Sequence, residues 1–307
     1  MAEPSGAESV LLTEERRRAE KETRDSLREA EQHLRVIEVR GGPGRLSVAS
    51  LTELYAFREV LWAFVIRQVK VKYKQAAIGI GWAVLQPVIS AALFTVFLGR
   101  LAHISSEGRP YLLFALAGMV IWTYFSGAVQ GSMESLISNQ GLLRKVYFPR
   151  EILPLTEILA AIVDLVPQLT VLLILTLSLG LRPDITWLAL PLPIVIAVLF
   201  AMALGIGLSS INLYYRDVRH ALPFVLQLGL LASPIAYSLQ LVPPRLRTLY
   251  AVGNPVAAAI DTLRRILLHH QWPEWSIAIP ALLWALVLLT AGAALFKRLE
   301  RGFADRA

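Results

Sequence analysis

Cysteine is absent from all 307 residues, so disulfides, thiolate metal sites and a cysteine nucleophile are excluded. Histidine is scarce. His33, His103, His220, His269 and His270 are the full set; no pair sits at i, i+4 and no H-E-x-x-H occurs, which removes the zinc-hydrolase helix. No glycine is followed by lysine. The G-x-x-x-x-G-K-[ST] loop that cradles nucleotide phosphates is therefore missing, and the chain cannot hydrolyse ATP by that route. No G-x-S-x-G elbow is present. Gly79 and Gly81 form G-x-G, but the third glycine is lacking and the pair lies in an apolar run, so no dinucleotide fingerprint stands there. Charge is the last shortage: 17% of residues are charged, against about 25% in soluble domains. Hydrophobic residues reach 55% and mean hydropathy is +0.55. A single soluble globule, a disordered chain and a collagen are all excluded.

The charge that is present is unevenly placed. Residues 1–40 hold ten acids and eight bases, which leaves residues 41–307 at +9 against a net charge of +7. The start, Met-Ala-Glu-Pro, leads into charge rather than an apolar core and does not read as a signal peptide. Beyond residue 75 the charges bound long apolar runs. A helix rises 1.5 Å per residue, so about 20 apolar residues cross a hydrocarbon core of about 30 Å. Runs of that kind fall at 76–99, 110–133, 154–181, within 185–215, at 221–242 and at 275–296. Six spans place both termini on one side. Counting Lys and Arg near the spans orients them. With cytoplasmic termini, the inner side holds 14 bases and the outer side 7, four of the latter in the single loop 243–274. Cytoplasmic termini are the expectation.

Three segments outside the spans carry further pattern. Residues 8–40 are charge-dense and helix-prone, a solvated helix or tail on charge patterning, or a partner-binding helix; Gly41-Gly42-Pro43-Gly44 then reads as a break. Residues 53–75 form a helical pattern with Leu54, Phe57, Leu61, Phe64, Val65 and Gln68 on one side and Glu59, Arg67, Lys70 and Lys74 on the other. That division fits a helix in the plane of an anionic leaflet, the plain alternative being a packed cytosolic helix. Residues 243–274 are too polar to span and too apolar for a water loop, which suggests a short pair of outer helices. Such backbone is tolerated at membrane depth only under cover of protein or water. The inner loop 138–151 presents Leu142, Leu143, Val146 and Tyr147 as an apolar face beside Arg144, Lys145 and Arg150. It reads as a positive-inside loop or as a docking knob for a cytosolic partner. Inside the third run, Asp164 is a carboxylate that must pair with a base, stay neutral, or hydrogen-bond to Gln168 one turn on. A structural contact outweighs proton coupling.

Five motifs in order then carry a resemblance. They are Gly79-Ile-Gly-Trp-Ala-Val-Leu-Gln-Pro87, Phe114-Ala-Leu-Ala-Gly-Met-Val-Ile-Trp122, Asn139-Gln-Gly-Leu-Leu-Arg-Lys-Val-Tyr-Phe-Pro-Arg-Glu151, Asn212-Leu-Tyr-Tyr-Arg-Asp-Val-Arg219 and Ser233-Pro234-Ile235. Together, over about residues 52–300, the chain resembles the ABC-2-type permease family, in the branch that exports O-antigen, capsule and teichoic acid polysaccharides. The first 50 residues exceed the short N-terminus usual there.

The resemblance implies a half-transporter without its own motor. Two copies pair with two copies of a separate P-loop ATPase, which binds ATP and Mg; this chain holds no cofactor or metal and is not an enzyme by itself. It also implies a glycan on a polyprenyl diphosphate carrier, a bacterial inner-membrane location, and a pore between the two permeases. The pore candidates it carries over are Trp82, Gln86, Phe94, Phe97, Phe224, Gln227 and Tyr237. Coupling to the ATPase is expected at Leu142, Leu143, Arg144, Lys145, Val146 and Tyr147, with Arg216 and Asp217. The full expectation is an all-α integral membrane protein with three parts: a charged extension and Gly/Pro linker at 1–50, an interface helix at 51–75 and a six-span permease domain at 76–307. Competing readings are an exporter of drugs or other amphiphiles and a membrane enzyme acting on lipid-linked glycans.

Overall fold

Backbone N–H and C=O groups in hydrocarbon must find partners inside the chain, and a helix pairs them within one segment. Every regular element among the described residues is accordingly helical. The computed structural model describes residues 53–74, 81–143 and 148–300. The charged stretch 8–40, the break at 41–44, Gly79 and the coupling candidates Arg144, Lys145, Val146 and Tyr147 lie outside the described residues.

In chain order the helices are α1 (Arg58–Lys74), α2 (Gly81–Phe94), α3 (Tyr111–Ser138), the single turn α4 (Gln140–Leu143), α5 (Ile152–Ser178), α6 (Pro191–Tyr214), α7 (Val218–Ala232), α8 (Pro244–Gly253), α9 (Pro255–His269) and α10 (Trp275–Glu300). α2 runs on as a π-helix, Thr95–Leu101, and a short 3-10 turn, Ile185–Ala189, leads into α6. Five stretches are long and apolar enough to cross a membrane: Gly81–Leu101, Tyr111–Ser138, Ile152–Ser178, Ile185–Tyr214 and Trp275–Glu300.

The remaining apolar run, expected over 221–242, has a different form. Its helix α7 has 15 residues, about 22 Å at 1.5 Å per residue, which is short of a hydrocarbon core of about 30 Å. Ser233 turns extended (φ −92°, ψ 147°) ahead of Pro234. Proline crowds the preceding residue out of the helical region and brings no N–H of its own. The chain then passes through turns and a 3-10 turn, Leu239–Leu241, into α8 and α9. Hydropathy alone does not register that break.

α3 is the central helix. It is apolar nearly all round, as a helix enclosed by others must be, and it packs against α2, α5, α6, α7 and α9. Phe114, Val120, Ile121 and Ala128 of α3 share one core with Ile158 and Leu165 of α5, Ile196 and Phe200 of α6, and Ile260 and Leu263 of α9. Phe125 stacks on Phe200 with ring centroids 5.1 Å apart. Small residues set the closest approaches, as between membrane helices generally: a Cβ at Gly292 of α10 would collide with the Ala203 carbonyl of α6, and one at Gly205 would come within 2.6 Å of Ser132 Oγ of α3. α9 is buried along almost its whole length.

Candidate functional site

Of the helices with uncovered stripes, α2 and α7 hold the pore candidates. On α2 and the π-helix that continues it, Trp82, Gln86, Ile89, Leu93 and Phe97 recur at steps of three and four residues along one side, and all are exposed. Phe94 turns the other way and packs half-buried against the main core. On α7, Phe224, Gln227, Leu228 and Leu231 are exposed in the same manner. Both helices lean on α3; α7 comes so near that a Cβ at Gly229 would lie 2.8 Å from the Trp122 ring. Gln86 and Gln227 decide what these stripes can face. Placing an unpaired amide in hydrocarbon costs roughly 2–7 kcal/mol, so these faces suit water, a polar ligand or another protein surface better than lipid tails. Tyr237, beyond the helix break, is half-buried; its hydroxyl donates to Ala232 O at 3.1 Å and lies 3.0 Å from the Tyr250 hydroxyl.

The bundle end bearing the 139–151 loop has its own core. Leu136, Phe148, Ile152, Leu213 and Phe296 form it, and Leu54, Phe57, Leu61 and Phe64 pack against it. The face expected to lie on a membrane surface is thus covered by protein. The apolar groups left open on and beside α1 are Tyr55, Trp62, Ile66 and Val71. Leu142 and Leu143 also pack on this core, so this pair is partly committed to the fold. Arg216 and Asp217 are exposed, with Tyr215 beside them, and Arg219 reaches Glu134 of α3 at 3.7 Å.

Asp164 is buried on α5, where Lys72 donates to Oδ2 and the Tyr73 hydroxyl to Oδ1. Burial first, and then the hydrogen bond to Asp164, pushes the Tyr73 phenol up, so it remains a protonated donor. One helical turn back, Gln68 lies beside Glu157 of α5. The two acids of α5 are thus matched to the C-terminal half of α1. Nothing in the local pattern of that helix sets Lys72 apart. Its real partner lies 92 residues away, beyond the reach of any local pattern.

Arg264, one of the four bases that the sequence places in the outer loop 243–274, is enclosed on α9. Its Nε donates to Phe114 O at 3.0 Å, Nη1 to Pro234 O at 2.6 Å and Tyr237 O at 3.2 Å, and Nη2 to Ile235 O at 2.6 Å. The guanidinium also lies over the Phe114 ring, 3.4 Å from its centroid. A planar fork of donors suits several carbonyls at fixed angles. Gly118 makes room for it, since a Cβ there would sit 3.0 Å from Nη2. Asn254 adds a bond from Nδ2 to Ser233 Oγ at 2.9 Å. The Phe114–Trp122 and Ser233–Ile235 motifs, far apart in sequence, are joined by this one side chain. Asn212 and Tyr214 serve similarly, donating to Met133 O at 3.0 Å and Leu299 O at 2.8 Å. No cluster suited to a metal ion occurs among the described residues.

Comparison with known proteins bears on the same segments. The description "ABC-2 type transporter" matches residues 59–268, from the start of α1 to the end of α9. The chain is 26% identical over 254 residues to the O-antigen export system permease protein RfbA of Myxococcus xanthus, covering 82% of this chain and 97% of that protein. A Klebsiella pneumoniae protein of the same name is 24% identical over 240 residues, with 78% and 91% covered. The polysialic acid transport protein KpsM of Escherichia coli is 22% identical over 243 residues, with 78% and 92% covered. With most of its length in the family match, and with four of its five long apolar stretches, the helix break and the buried α9 inside that match, the chain belongs to the ABC-2 type transporter family.

Proposed function

We propose that the chain is the membrane subunit of an ATP-driven exporter that moves a lipid-linked polysaccharide across a bacterial inner membrane. In this reading it crosses the membrane six times with cytoplasmic termini, α7 and the turns after it making the fifth crossing. Two copies face each other and two copies of a separate P-loop ATPase, which binds ATP and Mg, drive them. The observation that carries the reading is the pair of uncovered stripes on α2 and α7. The first sets Trp82 and Phe97, and the second Phe224, beside a glutamine on a face that lipid would not favour. Aromatic faces stack on the C–H surface of sugar rings, and amides satisfy their hydroxyls. The relatives named above for O-antigen export and polysialic acid transport support the same substrate class.

The absence of a phosphate-binding loop means that force must arrive by contact. The exposed Arg216 and Asp217 and the 139–150 segment are the docking surface. α1, tied to α5 through Lys72 and Asp164, carries the movement into the spans. Two measurements test the proposal: copurification with a P-loop ATPase from the same cells, and lipid-linked glycan in cells lacking this chain. Copurification and an intracellular build-up of polyprenyl-linked polymer are expected. A deletion that leaves surface polysaccharide and lipid-linked pools unchanged overturns the reading.

A further inference from the structure

A polar pocket of about 520 Å³ opens where three segments meet: the loop before α3, the turns after α7 and the end of α9. That volume is in the range of small-ligand sites, about 300–1,000 Å³. Its walls include Glu107, Ser238, Gln240, Arg265, His269 and Gln271. Glu107 holds the centre. His269 Nε2 lies 3.0 Å from its Oε2, and the Ser238 hydroxyl donates to its Oε1. Glu107 adopts a left-handed backbone (φ 58°), a conformation in which glutamate is uncommon.

The wall is built in advance. Ser238 accepts from the Gln240 N–H at 3.0 Å, and Arg247 Nη2 donates to Gln240 O at 2.8 Å. The three carbonyls fixed by Arg264 lie just upstream, at Pro234, Ile235 and Tyr237. The same segment leads directly from α7, which carries Phe224 and Gln227.

Charge limits what can bind. Arg265 pairs with Asp261 at 3.0 Å and also with Glu274, so its charge is already matched by two carboxylates. The His269 imidazole beside it, and then the Ser238 hydroxyl, hold the Glu107 carboxyl below its usual range, so it is an acceptor at neutral pH. The wall therefore offers an anionic sugar no unpaired cation, only the Glu107 carboxylate, whereas hydroxyls both donate and accept. Two amides, two hydroxyl side chains counting Ser105, and one carboxylate match that chemistry.

We propose that this pocket is a second glycan subsite that receives an uncharged sugar residue of the exported polymer beyond the α7 stripe. The proposal rests on the export reading above and narrows its substrate to a neutral glycan.

The test uses the full chain in cells that also make its ATPase and glycan. The photo-crosslinker p-benzoylphenylalanine replaces Leu241, which lines the pocket and is 69% exposed, or Phe224 on the α7 stripe. After illumination the purified protein is stained for carbohydrate and the attached sugars are analysed. Adducts at both positions are expected, composed of uncharged sugars. Changing Gln240 and Gln271 together to Ala should lower the Leu241-site adduct about tenfold, the loss of two hydrogen bonds, and spare the Phe224-site adduct. An adduct at the Phe224 site alone overturns the pocket while leaving export standing. Adducts at neither site overturn the export reading itself. A uronic or sialic acid polymer, or a Leu241-site adduct indifferent to the double change, overturns the neutral subsite. Should the Leu241 variant fail to accumulate, the same probe at Ser105 on the facing wall gives the same readings.

Discussion

Removing Arg264 should unfasten the region that follows α7. Its guanidinium makes four hydrogen bonds to carbonyls of Phe114, Pro234, Ile235 and Tyr237 at 2.6–3.2 Å. Bonds from a charged donor contribute about 1.5–3 kcal/mol each, so the gross loss is at least about 6 kcal/mol. Arg264→Met also relieves the desolvation of a buried cation, several kcal/mol, and its unbranched chain fills much of the space. A net destabilisation of about 3 kcal/mol remains. At roughly 2–4 °C per kcal/mol for a domain of this size, Tm should fall by about 6–12 °C. Arg264→Lys is the sharper test. An ammonium keeps the charge buried but gathers its donors on one nitrogen and cannot span carbonyls now served by three, so it should be at least as damaging as Met. The assay is thermal unfolding in lipid nanodiscs, together with cysteine labelling introduced at Leu246 to report loosening of α8. A Lys variant within about 1 kcal/mol of the wild type would refute the reasoning. So would a Met variant that unfolds normally with Leu246-site labelling unchanged.

Other outcomes follow from the same contacts. Lys72→Met should leave the buried Asp164, whose side chain is 12% exposed, without its cation, whereas Lys72 at 55% is half in water. The lysine change should therefore destabilise more than Asp164→Asn, and the double change should recover part of the loss, a coupling of about 1 kcal/mol; additive effects in a double-mutant cycle would dismiss the pair. Gly292→Leu should abolish accumulation of the folded chain, because its side chain would enter the Ala203 carbonyl; normal expression and Tm would contradict the close α6–α10 approach. Tags at 103–108 and 245–250 should be reached from outside intact cells and a tag at 140–150 should not, as the Lys and Arg asymmetry requires. Labelling of 140–150 from outside would overturn the orientation.

Where pattern is local, the sequence was readable. Apolar runs bounded by charge mark the five long stretches because solvent preference acts residue by residue. The intermediate polarity of 243–274 likewise signalled a pair of outer helices, and the second of them, α9, is buried. Three things were hidden for physical reasons. Hydropathy sums side chains, so it ran the fifth apolar stretch through Ser233 and Pro234, where the backbone cannot continue as helix. It also treats an arginine as a charge seeking water, although Arg264 finds its partners in backbone carbonyls 27 to 150 residues away. And amphipathicity names an apolar face without naming what covers it: Leu61 and Phe64 pack on Phe148 and its neighbours, with Phe64 and Phe148 meeting edge to face at 5.6 Å. Of the candidate stripes, Gln86 and Gln227 came with the family resemblance, while the half-buried setting of Phe94 and Tyr237 required the fold.

The most direct test of the central claim is transport itself. The chain and its ATPase, copurified and reconstituted into proteoliposomes with the lipid-linked glycan extracted from the same cells, are given ATP, and polymer reaching the opposite leaflet is measured by its susceptibility to an added glycosidase. Movement that requires ATP and the ATPase, and that falls sharply when Gln86 and Gln227 are both changed to Leu while the complex still assembles, is the predicted result. Equal movement without ATP, or full transport by the double variant, would contradict the account.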